Sequence, residues 1–267
     1  MNLPLRIDSP DDPRLLPYRE LKDKTLAARQ GLFAVEGELP VRRLLASSLS
    51  VHSLLMTPQR FASGDWPTER CPICLAEREI LSGVVGFDFH RGVLALAVQP
   101  PLRPLEELQP ESTPHLLVLP EINDPINLGG LLRTAAAFGW NAILLGPSCA
   151  NPYCRRTVRT SMGALFRQTF YLLENPEQLF LLRRAGYALH AAIVQESGRP
   201  LTQVAVPERI ALLLGNEAHG LGTDWRAVCD LDVRIPMHQG VDSLNVVVAA
   251  GILMAFYSRI LPPGVAP

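Results

Sequence analysis

The sequence of 267 residues contains no segment that predicts membrane insertion or export. Its longest apolar run, Val246–Tyr257, is shorter than the about 20 residues needed to cross a bilayer. The N-terminus lacks the basic start, the apolar stretch and the small-residue cleavage site of a signal peptide. Hydrophobic residues make up 48% of the chain, which is typical of a globular protein with a core. We therefore predict a soluble, cytoplasmic protein.

Cysteine is scarce, and its spacing argues against a disulfide framework. The five cysteines are an odd number without regular spacing, which predicts free thiols in a reducing compartment. Cys71 and Cys74 form a C-x-x-C pair, but no second C-x-x-C or H-x-x-x-H pair completes a zinc site. We expect this pair to be incidental, with a redox pair as the alternative.

The signatures of nucleotide-dependent enzymes and of serine hydrolases are missing. No G-x-x-x-x-G-K-[ST] loop occurs, and Gly129-Gly130 lacks the G-x-G-x-x-G spacing, which disfavours an NTPase or a dinucleotide-dependent enzyme. No G-x-S-x-G elbow surrounds Ser243. His238, its one candidate base, is more simply explained as an exposed histidine in a turn.

Acidic residues are absent from one long stretch, although the formal net charge is only −1. No Asp or Glu occurs between Asp124 and Glu174. The arginines in that stretch are Arg133, Arg155, Arg156, Arg159 and Arg167. Lys22 and Lys24 are the only lysines of the chain, and arginine is the planar, bidentate donor suited to phosphate. A solvated surface and a nucleic-acid contact both remain open for this cluster.

Prolines concentrate between residues 99 and 114, where they cannot continue a helix or a central strand. We predict a domain at 1–99, a proline-rich linker at 100–114 and a second domain at 115–267. The first domain has mixed short elements, with helices near 14–29 and 40–46 and strands near 33–37, 51–56 and 93–97.

The second domain has a regular alternation of strands and helices. We predict strands at 115–119, 142–145, 187–194, 210–214 and 233–235, and helices at 129–138, 176–185 and 244–260. The strands are continuous apolar runs, which indicates an α/β domain with a parallel sheet covered on both faces. Ligands of such sheets bind at the carboxyl ends of the strands. The turns that follow the strands are therefore the candidate sites.

Three polar, glycine-containing turns follow predicted strands, in segments 119–135, 213–222 and 235–246. The first contains N-x-G-x-x-x-R after an Asp-Pro pair, the second G-N-E-x-x-G, and the third I-P-M followed by S-L-N-V. The residues concerned are Asn127, Gly129, Arg133, Gly215, Asn216, Glu217, Gly220, Ile235, Pro236, Met237, Ser243, Leu244, Asn245 and Val246.

These three motifs, in this order, resemble those of the SpoU (TrmH-like) branch of the SPOUT superfamily, whose members are RNA 2′-O-ribose methyltransferases. The resemblance covers the whole second half and implies a parallel-sheet catalytic domain with a deep trefoil knot at 115–267. Ser9-Pro10, segment 31–37 and segment 91–95 resemble the small α/β ribosomal-protein-L30e-like domain that many members place in front to bind substrate. The implied reaction is methylation of a ribose 2′-hydroxyl in structured RNA, with rRNA favoured over tRNA.

The resemblance also implies the cofactor and the assembly. S-adenosylmethionine would be the cofactor, the protein would be a homodimer through the catalytic domain, and no metal is expected. The implied cofactor-binding residues, several of which act through backbone groups, are Ala192, Leu214, Gly215, Asn216, Ile235, Met237, Ser243 and Leu244.

Five residues are candidates for catalysis: Arg133, Asn127, Glu217, Ser243 and Asn245. Arg133 would hold the adjoining phosphate and stabilise developing charge, since an arginine is always protonated and is a poor base. Its alternative is an arginine on a helix surface with no role in a site. Asn127 fixes the turn around Arg133, or it is simply a helix N-cap. Glu217 orients Arg133 or binds backbone amides, and its alternative is a solvated loop charge.

Four arginines are candidates for RNA binding: Arg133, Arg155, Arg156 and Arg159. The last three occur where family members carry a basic segment near the RNA entrance. We expect phosphate contacts rather than base reading, so that affinity falls steeply with added salt.

Ser243 and Asn245 stand at the start of the apolar helix, where they could cap it or belong to a site. Residues two apart lie about 200° apart around a helix, so both can serve the site only if Ser243 is outside the helix. We expect Asp242 or Ser243 as the cap. Ser243 would lie beside the reactive methyl group, Asn245 would point toward the first motif, and Leu244 would lie against the adenosine.

Two other functions remain open at this point. One is a non-catalytic RNA-binding or ribosome-assembly protein, although a decayed site should have lost at least one of the five catalytic candidates. The other is an enzyme that methylates a base, which the S-L-N motif disfavours.

Overall fold

The chain folds into two units, one of which is discontinuous in sequence. The computed structural model describes residues 3–19, 21, 31–86, 89, 91–238 and 243–260. The first unit comprises Met1–Pro101 and Pro152–Phe166, and the second comprises Leu102–Asn151 and Arg167–Pro267. Residues 152–166 therefore fold with the first unit, although the chain on both sides of them folds with the second. In the described part of the chain, no helix is long and apolar enough to cross a membrane.

The secondary structure of the described residues consists of short elements. The strands are β1 (Leu5–Arg6), β2 (Leu32–Glu36), β3 (Val51–Met56), β4 (Ile73–Leu75), β5 (Val93–Val98), β6 (His115–Leu119), β7 (Ala142–Leu145), β8 (Thr169–Leu172), β9 (Ala188–Ala192), β10 (Arg199–Pro200), β11 (Ile210–Leu213) and β12 (Leu231–Arg234). The α-helices are α1 (Glu38–Leu45), α2 (Pro58–Ala62), α3 (Arg78–Val85), α4 (Pro125–Ala137), α5 (Arg155–Ser161), α6 (Leu179–Arg184), α7 (Thr223–Ala227) and α8 (Val246–Tyr257).

The first unit is built on a mixed five-stranded sheet with the order β1-β4-β3-β5-β2. β5 runs antiparallel to β2 and β3, whereas β4 runs parallel to β1 and β3. The core on one side includes Leu15, Tyr18, Leu81 and Leu94. The buried Tyr18 hydroxyl is 2.6 Å from Ser53 Oγ, so this polar group is satisfied inside the core.

The second unit is built on a seven-stranded sheet with the order β10-β12-β9-β11-β6-β7-β8. Every neighbouring pair is parallel, which confirms the predicted parallel α/β sheet. β6, β7 and β11 are buried almost throughout, because helices cover the sheet and strands buried on both faces need apolar residues at every position. Leu179 and Leu182 of α6 pack into the core on one face.

α4 and α8 pack closely against each other in the second unit, through two glycines. A Cβ atom added at Gly130 of α4 would come within 2.8 Å of Val247 Cγ2 on α8. In the opposite direction, Gly251 of α8 faces Thr134 of α4, whose Cγ2 would lie 3.7 Å from an added Cβ. Small residues let the helix axes approach, so the first-motif helix and the third-motif helix pack closely together.

The proline-rich stretch packs on the second unit from Leu102 onward. The backbone of Arg103 donates to Phe170 O and accepts from Leu172 N, both at 2.9 Å, beside the edge strand β8. Leu105 is buried in the core of the unit. The helices of the proline-rich stretch are two short 3-10 helices, Leu105–Glu107 and Pro110–Ser112, because proline lacks the N–H that longer helices need.

The closing helix begins two residues later than predicted, and a different residue caps it. α8 covers Val246–Tyr257 instead of 244–260, and Asn245 Oδ1 accepts from Val247 N at 2.9 Å. The prediction of Ser243 as the cap is therefore wrong, and Asp242 lies outside the described residues. Asparagine is among the best N-cap residues, and Asn245 directly precedes the apolar run.

Several other predicted bounds shift for identifiable reasons. α4 begins at Pro125 rather than 129, because Asp124 Oδ1 caps it through Ile126 N at 2.9 Å and proline is favoured at the first helical position. The start of the helix predicted at 14–29 is a 3-10 helix, Pro13–Tyr18, with Pro17 inside it, and residues 22–30 lie outside the described residues. α5 and β8 were not predicted, because each is short and has no regular apolar period.

We predict that the second unit loses stability as the pH falls below about 6.5. Burial lowers the pKa of His115 and His190 from the ordinary value of 6.5, and His190 Nδ1 lies 2.6 Å from the Tyr257 hydroxyl. The Asp230 charge raises the pKa of His190, and Arg199 lowers it further. The unfolded chain therefore binds more protons below pH 6.5, so stability is complete above that pH and is lost as the pH falls.

Urea unfolding of the wild type and of His190→Gln between pH 7.5 and pH 5 measures this effect. The variant should lose less stability over the range, whereas His238→Gln, which removes an exposed histidine, should behave as the wild type. Equal pH dependence of all three proteins would contradict the assignment to His190.

Candidate active site at the carboxyl ends of the parallel strands

A cavity of about 520 Å³ lies in the second unit, at the carboxyl ends of β9, β11 and β12. Parallel sheets bind their ligands at this edge. All eight residues predicted to bind the cofactor line the cavity: Ala192, Leu214, Gly215, Asn216, Ile235, Met237, Ser243 and Leu244. Four of the five predicted catalytic residues also line it: Asn127, Glu217, Ser243 and Asn245.

The second motif forms a tight loop after β11. Asn216 N donates to Gly220 O at 2.9 Å, and Gly220 N donates to Asn216 O at 2.8 Å. The buried Asn216 side chain closes the loop from inside, since its Oδ1 accepts from Ala218 N at 2.8 Å. A Cβ at Gly215 would lie 2.2 Å from Gly220 C, and Gly220 itself has φ of +70°. The two glycines are thus required for close approach and for a left-handed backbone, respectively.

The third motif reaches the cavity from the start of α8. Ser243 is exposed and lies outside the helix, as the spacing argument required. Leu244 is half-buried in the cavity wall, and Asn245 is the N-cap. Cap and site therefore share the same residue.

A chain of side-chain hydrogen bonds connects the three motifs. Asn245 Nδ2 donates to Asn127 Oδ1 at 3.2 Å, and Asn127 Nδ2 donates to Glu217 Oε1 at 2.7 Å. Asn127 is the third residue of α4, whose cap is Asp124, so the plain N-cap reading of Asn127 is wrong. An amide is suited to the middle position because it has both an acceptor and a donor.

Arg133 stands apart from this chain. It lies nearly two turns beyond Asn127 on α4, its side chain is exposed, and it does not line the cavity. Within the described residues it has no hydrogen-bond or ion-pair partner. Glu217 does not orient Arg133, contrary to the prediction, because its carboxylate accepts from Asn127 instead.

The three arginines of α5 differ in their surroundings within the first unit. Arg156 and Arg159 are exposed. Arg155 is half-buried, and its guanidinium forms an ion pair with Glu36 on β2. Arg155 is thus already neutralised by a protein carboxylate.

The charges around the cavity are mostly compensated. The guanidinium of Arg226 lines the cavity and is paired with Asp232, with Nη2 and Oδ2 2.6 Å apart. Glu217 accepts from an uncharged amide, so its negative charge is not neutralised by that contact. The cavity can therefore accommodate a ligand with a positive group.

Cys149 supports the loop between β6 and α4. Its thiol donates to Leu119 O at 3.0 Å and accepts from Ile122 N at 3.2 Å. Burial raises the pKa of Cys149 to about 11, which keeps the thiol protonated and able to donate. This cysteine has a structural role that the sequence did not indicate.

Cys71 and Cys74 are buried free thiols in the first unit. Burial raises the pKa of both thiols, which disfavours the reactive thiolate that a redox pair needs. In the part of the chain that the structure describes, no group of three or more metal-binding side chains occurs. His238 is exposed after β12 and does not line the cavity.

Gln195 and His219 line the cavity although neither was predicted. Gln195 follows the carboxyl end of β9, and His219 lies in the loop after β11. Their positions after buried strands could have indicated a place in the cavity, but neither residue belongs to one of the three motifs.

Comparisons with known proteins agree with the three motifs. Residues 114–255 match the model of the SpoU rRNA Methylase family. An uncharacterized tRNA/rRNA methyltransferase of Mycobacterium bovis is 36% identical over 94% of this chain and 89% of its own length. The Bacillus subtilis 23S rRNA guanosine 2′-O-methyltransferase RlmP is 26% identical over 93% of this chain and 97% of its own.

A solved structure has the same fold along nearly the whole length. The AdoMet-bound rRNA methyltransferase of Sinorhizobium meliloti superimposes with a TM-score of 0.84 at 25% identity, covering 96% of this chain and 98% of that one. The cavity, the three motifs that surround it and these similarities lead to one conclusion: the chain belongs to the SpoU rRNA methylase family.

Proposed function

We propose that this protein is an S-adenosylmethionine-dependent methyltransferase that methylates a ribose 2′-hydroxyl in structured RNA, with ribosomal RNA as the substrate. The observation that carries the proposal is the hydrogen-bonded chain from Asn245 through Asn127 to Glu217, which joins all three motifs at one cavity. The relatives RlmP and the Sinorhizobium meliloti enzyme are named for rRNA methylation, and this chain spans nearly their full length.

The cavity has the size and lining that S-adenosylmethionine requires. Its volume of about 520 Å³ lies within the range of about 300–1,000 Å³ found for ligand pockets. Leu214, Ile235 and Leu244 give apolar walls for an adenosine, and their backbone groups supply hydrogen bonds. The Glu217 carboxylate is the counter-charge for a sulfonium. When bound, S-adenosylmethionine would supply an electrophilic methyl group.

The chain's own residues then have to hold the RNA and favour loss of the 2′-hydroxyl proton. Arg133 binds the phosphate next to the target ribose and stabilises negative charge as it develops on the 2′-oxygen. Its exposure and its lack of a partner among the described residues leave the guanidinium available for this task. A hydrogen bond between Asn245 and Asn127 links the third motif to the first, and Ser243 lines the cavity where the methyl group would be presented.

The finer architecture of the family belongs to the same proposal. The second unit would contain the deep trefoil knot, the first unit would be the L30e-like substrate-binding domain, and the protein would be a cytoplasmic homodimer. α8 supports the dimer because it is apolar on all sides, yet Val248 is 52% exposed, and Ile126 at the start of α4 is 53% exposed. A helix that is apolar all round is normally buried.

A labelled-methyl assay tests the chemistry. We expect the wild type to transfer the methyl group of labelled S-adenosylmethionine to unmodified ribosomal RNA, and Arg133→Ala to do so about 100-fold more slowly or worse. Arg184→Ala is the matched control, because Arg184 is an exposed arginine on α6 that does not line the cavity.

The product of that assay separates the possible reactions. A methylated 2′-oxygen cannot attack the adjacent phosphate, so the labelled nucleotide should survive alkaline hydrolysis as part of a dinucleotide. Label recovered in single nucleotides would mean base methylation. No incorporation into any cellular RNA would favour the alternative of a non-catalytic RNA-binding or ribosome-assembly protein.

Two substitutions of Asn245 separate its role in the helix from its role in the site. Asn245→Asp keeps the oxygen that caps α8 but removes the Nδ2 donor to Asn127, so stability should be nearly unchanged while methyl transfer falls. Asn245→Ala removes both contacts and should also cost about 1 kcal/mol of stability. Urea unfolding measures the stability of both variants. Full methyl-transfer activity of Asn245→Asp would disprove a site role for the hydrogen bond between Asn245 and Asn127.

The dimer is tested by one charge on the exposed side of α8. Val248→Asp should convert a dimer to a monomer in multi-angle light scattering, because a buried unpaired carboxylate is strongly unfavourable. Leu181→Asp changes a residue of similar exposure on α6 and should leave the mass unchanged. A monomeric wild type would refute the dimer outright.

A further inference from the structure

The two units have opposite formal charges, and residues 152–166 cause the difference. Residues 1–101 contain twelve Lys and Arg and twelve Asp and Glu, so they are neutral overall. Residues 152–166 add three arginines and no acid, which gives the first unit +3. The second unit has ten arginines against fourteen Asp and Glu, which gives −4. The net positive charge that attracts a polyanion is therefore carried by the first unit, whereas the unit that holds the cavity is net negative.

Aromatic contacts fix residues 152–166 to the rest of the first unit. The ring of Phe33 on β2 lies 5.0 Å from that of Tyr153 and 6.0 Å from that of Phe166, measured between centroids. All three side chains are buried. Tyr153 precedes α5 and Phe166 follows it, so both ends of the helix are held against Phe33 of the sheet.

An ion pair gives one arginine of α5 an anchoring role. Arg155 pairs with Glu36, whose side chain is only 11% exposed. Leaving such a carboxylate without a partner would be costly, so this pair fixes the start of α5. Arg156 and Arg159, three residues apart, then lie exposed on the same side of the helix.

Arg43 of α1 meets the other end of α5. Its Nη1 donates to Met162 O at 2.7 Å, and Met162 N in turn donates to Arg159 O at 3.2 Å. Met162 has φ of +54°, a left-handed conformation that is unfavourable for a residue with a side chain, and it directs this carbonyl toward Arg43. Arg43 is exposed, and the carbonyl that it binds belongs to a residue three positions after Arg159.

The acids of the neighbouring elements are already paired with other arginines. Glu36 binds Arg155, and Glu38 binds Arg42 at 2.9 Å and Arg60 at 2.7 Å. Arg42 also lies over the Trp66 ring, 4.5 Å from its centroid. The adjacent residues Arg42 and Arg43 thus differ, since the first is paired with a carboxylate and the second, among the described residues, binds a backbone carbonyl and no acid.

We propose that Arg43, Arg156 and Arg159 form one phosphate-docking surface for RNA on the first unit, with Arg43 as a direct contact. Arg155 acts as its anchor and makes no phosphate contact. The proposal rests on the proposed function only in taking RNA as the polyanion.

The slope of log Kd against log salt concentration counts phosphate contacts, at about 0.9 per contact for duplex and 0.7 for single strands. We expect Arg43→Gln to lower the slope by about one contact for transcribed 23S ribosomal RNA, measured by filter binding. Arg42→Gln, its neighbour on the same helix, should leave the slope unchanged. Equal slopes for Arg43→Gln and the wild type would overturn the proposal.

A double-mutant cycle separates direct contact from positioning of α5. If Arg43 binds phosphate itself, Arg43→Gln lowers the slope further in an Arg156→Gln/Arg159→Gln background. If it only holds α5 in place, it has no further effect there, and the direct contact is refuted. Circular dichroism of each variant identifies any that fails to fold, and Arg43→Lys, which keeps the charge, should restore the slope.

The outcome is independent of the methyl-transfer reaction. S-adenosylmethionine affinity should be unchanged in these variants, because the cavity is lined by residues of the second unit. A wild type that binds RNA with an Arg43-dependent slope but transfers no methyl group would refute the proposed function and retain the docking surface. An active enzyme whose salt-dependence slope is unchanged by Arg43→Gln would refute the docking surface and retain the proposed function.

Discussion

The position of Asn127 is the constraint on which the site depends. Its amide accepts from Asn245 through Oδ1 and donates to Glu217 through Nδ2, so separate atoms serve the two partners at once. These bonds are exposed to solvent, where each contributes only about 1 kcal/mol, so they cannot hold the motifs together by themselves. The contact of Gly130 with Val247 brings α4 and α8 close enough for the bonds to form. Core packing thus sets the geometry, and the hydrogen bonds select the rotamers.

The two units divide binding between them by charge. The second unit, with a formal charge of −4, surrounds a cavity suited to a ligand with a positive group. The first unit, at +3, owes its sign to a segment that the sequence places inside the other unit. The overall formal charge of −1 conceals this difference, because it is the sum of +3 in the first unit and −4 in the second.

Local sequence patterns predicted the sheet, and the family motifs predicted residues that line the cavity. β6 and β7 have the predicted bounds, since buried parallel strands are unbroken apolar runs. All eight residues that the family resemblance implied for the cofactor line the cavity, among them Leu214 and Gly215 directly after β11. The pairing of Glu217 with Asn127 instead of Arg133 could not be predicted, because it joins two residues 90 positions apart in the sequence. Nor could the association of α5 with β2, which joins residues about 120 positions apart through Arg155 and Glu36.

The discontinuous first unit has a consequence for the order in which the chain folds. β2 is covered by Tyr153 and Phe166, so the unit cannot be completed until the ribosome has made α4, β7 and α5. A fragment that ends in the proline-rich stretch would expose Phe33 and leave Glu36 without its arginine. The amino-terminal unit is therefore not a module that evolution could exchange by cutting at its apparent boundary. Any exchange of this unit would have to include residues 152–166 as well.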